Sequence, residues 1–264
     1  MLQNVQRGPN VAGDSLSASL AATASGTANT KGAWAQLWAS TAVNSSMLVC
    51  MFDDVTVSAT NTATLVDIGI GGAGSEVVVI ANISVGGLGH GTTHVFPLYI
   101  PAGTRVSIRL QSAVVSKALA GRVSLVPAVG DQDAAQIVDT YGADTANSKG
   151  VTLATPSVAG TKTGWTQIVA STTRDAAWIT WSFASNGTNI AAAKGGVDIG
   201  YGGAGSEQVL VGNIRWEQLG TEAIRHAGFV VPCNIPAGTR LAVRWDSTST
   251  AAASVINAML HTAT

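Results

Sequence analysis

The chain repeats itself. Residues 67–83 read DIGIGGAGSEVVVIANI, and residues 198–214 read DIGYGGAGSEQVLVGNI, 131 positions later. The same spacing links Trp34 to Trp165, Gln36 to Gln167, Ala39-Ser40-Thr41 to Ala170-Ser171-Thr172, and Phe52 to Phe183. A second shared block, IPAGTR, occupies 100–105 and 235–240. Those are 135 apart, so the second copy has gained four residues between the blocks. Beyond it Arg109 matches Arg244 and Ser112 matches Ser247. A repeat of this length is the size of a whole domain. The chain therefore reads as two tandem homologous units, 1–128 and 129–264. The boundary falls in PAVGDQD, residues 127–133, where a proline, a glycine and two acids interrupt the pattern.

Each unit reads as all-β. In RVSIRL, residues 105–110, Val106, Ile108 and Leu110 share one face, and Arg105, Ser107 and Arg109 the other. RLAVRW, residues 240–245, repeats this with Leu241, Val243 and Trp245 inward. Period two with branched side chains predicts a half-buried strand, and the preceding Pro-Ala-Gly supplies the turn. Further strands are expected at 46–57, 65–70, 76–83, 94–100 and 118–126. Their counterparts are 176–184, 196–201, 207–214, 228–235 and 254–261. With the Trp34 and Trp165 segments each unit has about seven short strands, the pattern of a jelly-roll-like β-sandwich whose strand topology the sequence does not give. The Gly/Ala/Ser/Thr-rich starts, 12–31 and 142–163, are expected as long loops or extended arms.

Composition narrows the function. The 264 residues carry 14 Lys and Arg against 15 Asp and Glu, and only 11% are charged. A nucleic-acid partner would need a basic patch, so none is expected. With 46% hydrophobic residues the chain is not of the disordered type. No apolar run approaches the roughly 18 residues that span a bilayer, so no membrane partner is expected. The first residues show no basic segment followed by an apolar run, and no signal peptide is expected. Cys50 and Cys233 occupy non-equivalent places and read as buried thiols, neither a disulfide framework nor a zinc site.

Few motifs point to chemistry. Gly69 to Gly74 and Gly200 to Gly205 match G-x-G-x-x-G, but a dinucleotide site needs a helix after the glycines. A β-rich run follows instead, so both read as turns. His90 and His94 are spaced to share a metal on a helix, yet GHGTTH reads as a solvated loop entering a strand. Asp53-Asp54 at a strand edge, and Asp131 and Asp133 in the linker, offer too few oxygens for calcium. No cofactor, metal or catalytic residue is expected. A glycoside hydrolase would need two carboxylates about 5 to 9.5 Å apart in a cleft, and no acid pair stands out.

Charges kept in both copies of so charge-poor a chain need a reason. Glu76 and Glu207 are equivalent, as are Arg105 and Arg240, and Arg109 and Arg244. Each Glu is expected to pair with one Arg of its own unit across neighbouring strands, fixing register. The seven tryptophans are expected in core or partner-facing packing. Trp178 and Trp181, three apart on a strand, face opposite sides and cannot form one sugar-stacking platform. Residues 215–228, RWEQLGTEAIRHAG, hold the four-residue gain and concentrate Arg215, Glu217, Glu222 and Arg225. Trp216 and Arg225 are the candidates there for anchoring a partner that the first unit does not contact; the alternative is a short helical turn packed on its own unit.

The blocks at 67–76 with 100–112, and at 198–207 with 235–247, resemble a recurring signature of virion-associated proteins of tailed bacteriophages. These are β-sandwich accessory proteins of tails, necks or capsid surfaces. The resemblance implies a non-enzymatic structural component that wraps or decorates the neck or tail through repeated protein–protein contacts. It implies a virion location, assembly in the bacterial host cytoplasm, and other virion proteins and copies of the chain itself as partners. Capsid decoration, or a receptor- or glycan-binding adhesin of the tail, are the alternatives. A nearly neutral surface suits crowding in an assembly, and two similar units offer two quasi-equivalent contact surfaces.

Overall fold

Strands account for all the regular structure: no helix occurs among the described residues. The computed structural model describes residues 10–12, 22–54, 64–85, 92–128, 137–185, 192–218, 224–226, 228–250 and 256–263. His90, Asp131, Asp133 and Glu222, singled out above, lie outside them, as do the side chains of Asp53, Asp54 and Arg225.

The first unit comprises β1 (Asn10–Ala12), β2 (Ala22–Thr23), β3 (Ala35–Trp38), β4 (Ser45–Asp54), β5 (Thr64–Ile70), β6 (Val77–Val85), β7 (Thr92–Phe96), β8 (Val106–Ser112) and β9 (Ala118–Pro127). The second comprises β10 (Val138–Tyr141), β11 (Val151–Thr152), β12 (Thr166–Val169), β13 (Ala176–Ser185), β14 (Ala193–Tyr201), β15 (Gln208–Gln218), β16 (Arg225–His226), β17 (Val231–Ile235), β18 (Leu241–Trp245) and β19 (Ile256–Ala263).

The strand orders of the units match. One sheet of the first unit runs β1-β9-β4-β7, with β2 also on β9, and the other runs β3-β8-β5-β6. Their counterparts are β10-β19-β13-β17, with β11 on β19, and β12-β18-β14-β15, extended by β16. The order of strands across the two sheets is that of a jelly roll, two Greek keys folded together.

Alternation places the cores. Leu48, Cys50 and Phe52 of β4 face Val66, Ile68, Ile108 and Leu110 of the opposing sheet. Ile179, Trp181 and Phe183 of β13 face Val197, Ile199, Val243 and Trp245.

The units are joined through their sheets. β10 of the second lies parallel to β6 of the first, with Val138 opposite Ile80. One nine-stranded sheet therefore runs β17-β13-β19-β10-β6-β5-β8-β3, with β11 on β19. It carries a core on each face. Trp181 belongs to the second core, whereas Trp178 packs against the first, which also takes in Val138 and Ala263.

The described part of the first small-residue start runs as an extended segment along the sheet. Residues 24–32 are tied along the sheet by backbone bonds, Ala24 N to Lys117 O, Asn29 N to Ser112 O and Gly32 N to Leu110 O. Gly32 is required there, because a Cβ would collide with the Thr23 carbonyl oxygen.

Candidate functional site

Two ion-pair clusters recur in both units, and their arginine–carboxylate bonds are alike atom for atom. In the first, Arg105 donates from Nη1 to Glu76 Oε1 at 2.7 Å and from Nε to Gln36 Oε1 at 3.1 Å. Arg240 makes the same bonds to Glu207 at 2.8 Å and Gln167 at 3.0 Å. The glycine-rich turn between β5 and β6 holds the carboxylate from the other side. Gly74 N donates to Glu76 Oε2 at 2.9 Å, as Gly205 N does to Glu207. Gly71 and Gly74 have φ of 113° and 82°, and Gly202 and Gly205 have 107° and 82°. That left-handed backbone explains the glycines without any phosphate. The Arg105 hydrogen bond holds the Glu76 carboxyl below its ordinary pKa. Burial alone would raise Glu207, but backbone amides and Arg240 outweigh it and the net shift is downward.

Arg109 and Arg244 do not join these carboxylates. Arg109 Nε donates to Asp67 Oδ2 at 2.9 Å, and Arg244 Nε to Asp198 Oδ2 at 2.9 Å. Asp67 also accepts from Lys31 Nζ at 2.7 Å and from Asn82 N at 2.9 Å. Asp198 accepts from Asn213 N at 2.8 Å and has Lys162 Nζ at 3.2 Å. Asn82 and Asn213 sit at φ 57° and 54°, in bulges that turn their amides onto the carboxylate. Each guanidinium lies 4.5 Å from the centre of a tryptophan ring, Trp34 or Trp165. The indoles fit because Gly69 and Gly200 lie beneath them: a Cβ at either would come within 2.6 Å of the ring. Asp67, Lys31, Trp34 and their counterparts are not among the Glu–Arg candidates, although all recur at the 131-residue spacing that marks them in the sequence.

The contact between the units is the other concentrated feature. Beside the β10–β6 bridge, Thr140 Oγ1 donates to Ala81 O at 2.6 Å. His261 is fully buried, with Nδ1 2.9 Å from Thr140 Oγ1 and Nε2 2.6 Å from Ser182 Oγ. Its ring stands edge-on to Phe96 of the first unit at 5.3 Å. The turn after β10 roofs the first unit's Asp67 cluster: Gln111 Nε2 donates to Thr145 O at 2.7 Å, and Ser148 Oγ to Asn29 Oδ1 at 2.7 Å. Burial pushes His261 down to about 3. Burial, then repulsion from His226 and His261, puts His94 well below its ordinary value.

His94 thus corrects the expectation of a solvated loop. It lies within β7, 1% exposed, opposite Cys50 and stacked near Phe96, and the second unit's His226 closes its remaining side at 5.9 Å. Among the described residues no three His, Cys, Asp or Glu side chains converge as a metal site requires.

Trp216 decides between the two readings of its segment. It is 2% exposed, 5.3 Å from Trp245, and its Nε1 donates to Asp246 O at 3.3 Å. A residue so enclosed in its own core anchors no partner. The four-residue gain explains the difference between the units. In the first, β7 pairs along β4 from Phe96 to Thr92. In the second, β17 pairs with β13 only from Ala176 to Ile179, and the residues before it cross to β15, placing Arg225 opposite Glu217 and His226 opposite Trp216. Ile224 is thereby fully buried. β16 thus closes one end of the second unit's open side, whereas in the first unit the second unit covers the corresponding side.

On the second unit's outer surface a cleft of 710 Å³ is lined by Lys194, Gly195, Gly196, Asn213, Arg215, Glu217, Asp246 and Thr248, with Trp216 and His226 behind. Two of its residues, Asn213 and Asp246, are the counterparts of Asn82 and Gln111, which lie under the turn after β10 on the first unit.

No family model matches the chain, and no curated protein matches it. Among solved structures it is similar to PNGF-II, at 7% identity and a TM-score of 0.38, covering 97% of this chain and 65% of that one. The VP2 subviral particle of infectious bursal disease virus gives 11% and 0.29, covering 84% and 57%. The tandem CBM22-1-CBM22-2 domains of Paenibacillus barcinonensis Xyn10C give 13% and 0.28, covering 98% and 92%. The chain spans less than two thirds of the length of the first two. Likenesses of this size speak to neither ancestry nor activity.

Proposed function

We propose that the chain is a non-enzymatic structural component of a tailed-phage particle, wrapping or decorating its neck or tail through repeated protein–protein contacts. The observation that carries this reading is the junction between the units. One jelly roll docks on the other by an edge strand, a sheet face and a roofing turn, so the repeat itself contains a surface for binding its own kind. The charges duplicated in both units are consumed in internal pairs that stiffen each sheet, which suits a scaffold. The resemblance of the repeated blocks to phage accessory proteins supplies the particle. Capsid decoration uses the same surfaces.

The test is quantitative mass spectrometry of purified particles of the phage that encodes the chain. The chain should be present at a fixed number of copies per particle. Its absence from particles that retain infectivity would overturn the reading. The cleft on the second unit favours an adhesin as the second reading, and saturable glycan binding lost in Arg215→Ala would support it.

A further inference from the structure

The surface that the second unit presents to the first exists twice in the chain, and its other copy is uncovered. β1 is the first unit's counterpart of β10. Asn10–Ala12 pair with Leu125–Val123 of β9, as Asp139–Tyr141 pair with Thr262–Leu260 of β19. On its other side β1 has no strand among the described residues. The face of β4 that carries Met47, Val49 and Met51 corresponds to the face of β13 that carries Trp178, Thr180 and Ser182. Thr180 and Ser182 are 3% and 0% exposed at the internal junction, whereas Met51 is 47% exposed.

The receiving edge also exists twice. Ile80 and Ala81 of β6, which take β10, correspond to Val211 and Gly212 of β15. Ile80 is fully buried, but Val211 is only half-buried and Gly212 is exposed. Nearby, Val209 is 49% exposed, and Phe229, the counterpart of the buried His94, is 59% exposed. β16 covers only the Trp216–Glu217 end of β15, and on that side the stretch from Gln208 to Asn213 has no strand partner among the described residues. The cleft beside it includes Asn213 and Asp246, the counterparts of Asn82 and Gln111 beneath the turn after β10 on the first unit.

From these two unmatched halves of one internal contact we infer that copies of the chain join head to tail. β1 of one copy adds in parallel beside β15 at Val211–Asn213 of the next, and the Met47-Val49-Met51 face turns toward Val209 and Phe229. The inference rests on the reading of the chain as a structural component and names its partner as a second copy. Open strand edges are ready templates for such addition, and apolar residues stand on both sides of the contact. Because donor and acceptor differ, the contact is heterologous. It closes into a ring if the rotation per copy allows and otherwise grows as a filament.

The test uses the full chain with Asn10→Cys and Gly212→Cys, positions whose internal counterparts, Asp139 and Ala81, lie beside the β10–β6 bridge. Gly212 admits a side chain, since a Cβ there meets only Val209 Cγ1 at 3.4 Å and Asp198 Oδ1 at 3.8 Å. Oxidation should give a ladder at multiples of 26.6 kDa. A mixture of the two single variants should stop at the dimer, and adding Met51→Lys or Val209→Lys should abolish the ladder. In the unmodified chain, hydrogen exchange over 10–12 and 211–213 should slow as concentration rises. A folded double variant that remains monomeric, or exchange independent of concentration, overturns the contact, even if the chain is found on particles. A ladder from a chain absent from particles supports the contact and overturns the particle reading.

Discussion

Arg109 Nε meets Asp67 Oδ2 at 2.9 Å, and the same guanidinium lies face-on to Trp34 at 4.5 Å. The carboxylate is 3% exposed and takes two further donors, Lys31 and the Asn82 amide. Removing it strands three donors at once. Asp67→Ala is expected to cost about 3 kcal/mol of unfolding free energy, the usual price of breaking a buried pair. Arg109→Ala should cost less, because that side chain is 28% exposed. Urea denaturation of both variants checks the order, and an Asp67→Ala protein as stable as the parent would contradict it.

Gly69 and Gly200 hold the tryptophans of these clusters in place. Gly69→Ala is expected to displace Trp34 from Arg109 and to cost about 1 to 3 kcal/mol, as overpacking does. Near-UV circular dichroism should show the changed indole environment. An unchanged spectrum with unchanged stability would mean that the ring does not rest on the glycine.

Trp216→Ala should behave as a core deletion and cost about 3 to 5 kcal/mol. Thermal melting reads this directly. A surface anchor would instead leave the melting temperature where it was.

The buried histidines make the protein sensitive to acid. His261, pushed down to about 3, is neutral in the folded chain across the physiological range. The unfolded chain binds its proton near pH 6.5, so it takes up protons first as pH falls. Stability should be full above about pH 6.5 and decline toward pH 3. His261→Asn should flatten that slope in urea titrations between those limits. A slope unchanged by the substitution would remove His261 from the explanation.

Much of this architecture was legible in the residues, for physical reasons. The strands of RVSIRL and RLAVRW carry full alternation, and the glycine turns and Glu–Arg pairs recur in both copies. Trp216 was legible too. Arg215 and Glu217 are exposed while Ile214, Trp216 and Gln218 are buried, a period-two run whose charges drew attention away from its inner face. The join between units was not legible. β10 has four residues and β1 three, too short for a period to show, and their partner strands lie far away in the chain. His94 reads as solvated because its neighbours are glycine and threonine, whereas Phe52 and Phe96 of its own unit and His226 of the other enclose it.

The central claim is that the surface joining the two units also joins copies of the chain. Light scattering on a sizing column, across a range of concentrations and with no other protein present, tests it most directly. The account requires a weight-average mass that rises above 26.6 kDa with concentration or settles at a fixed multiple of it. A constant 26.6 kDa at every concentration would contradict it.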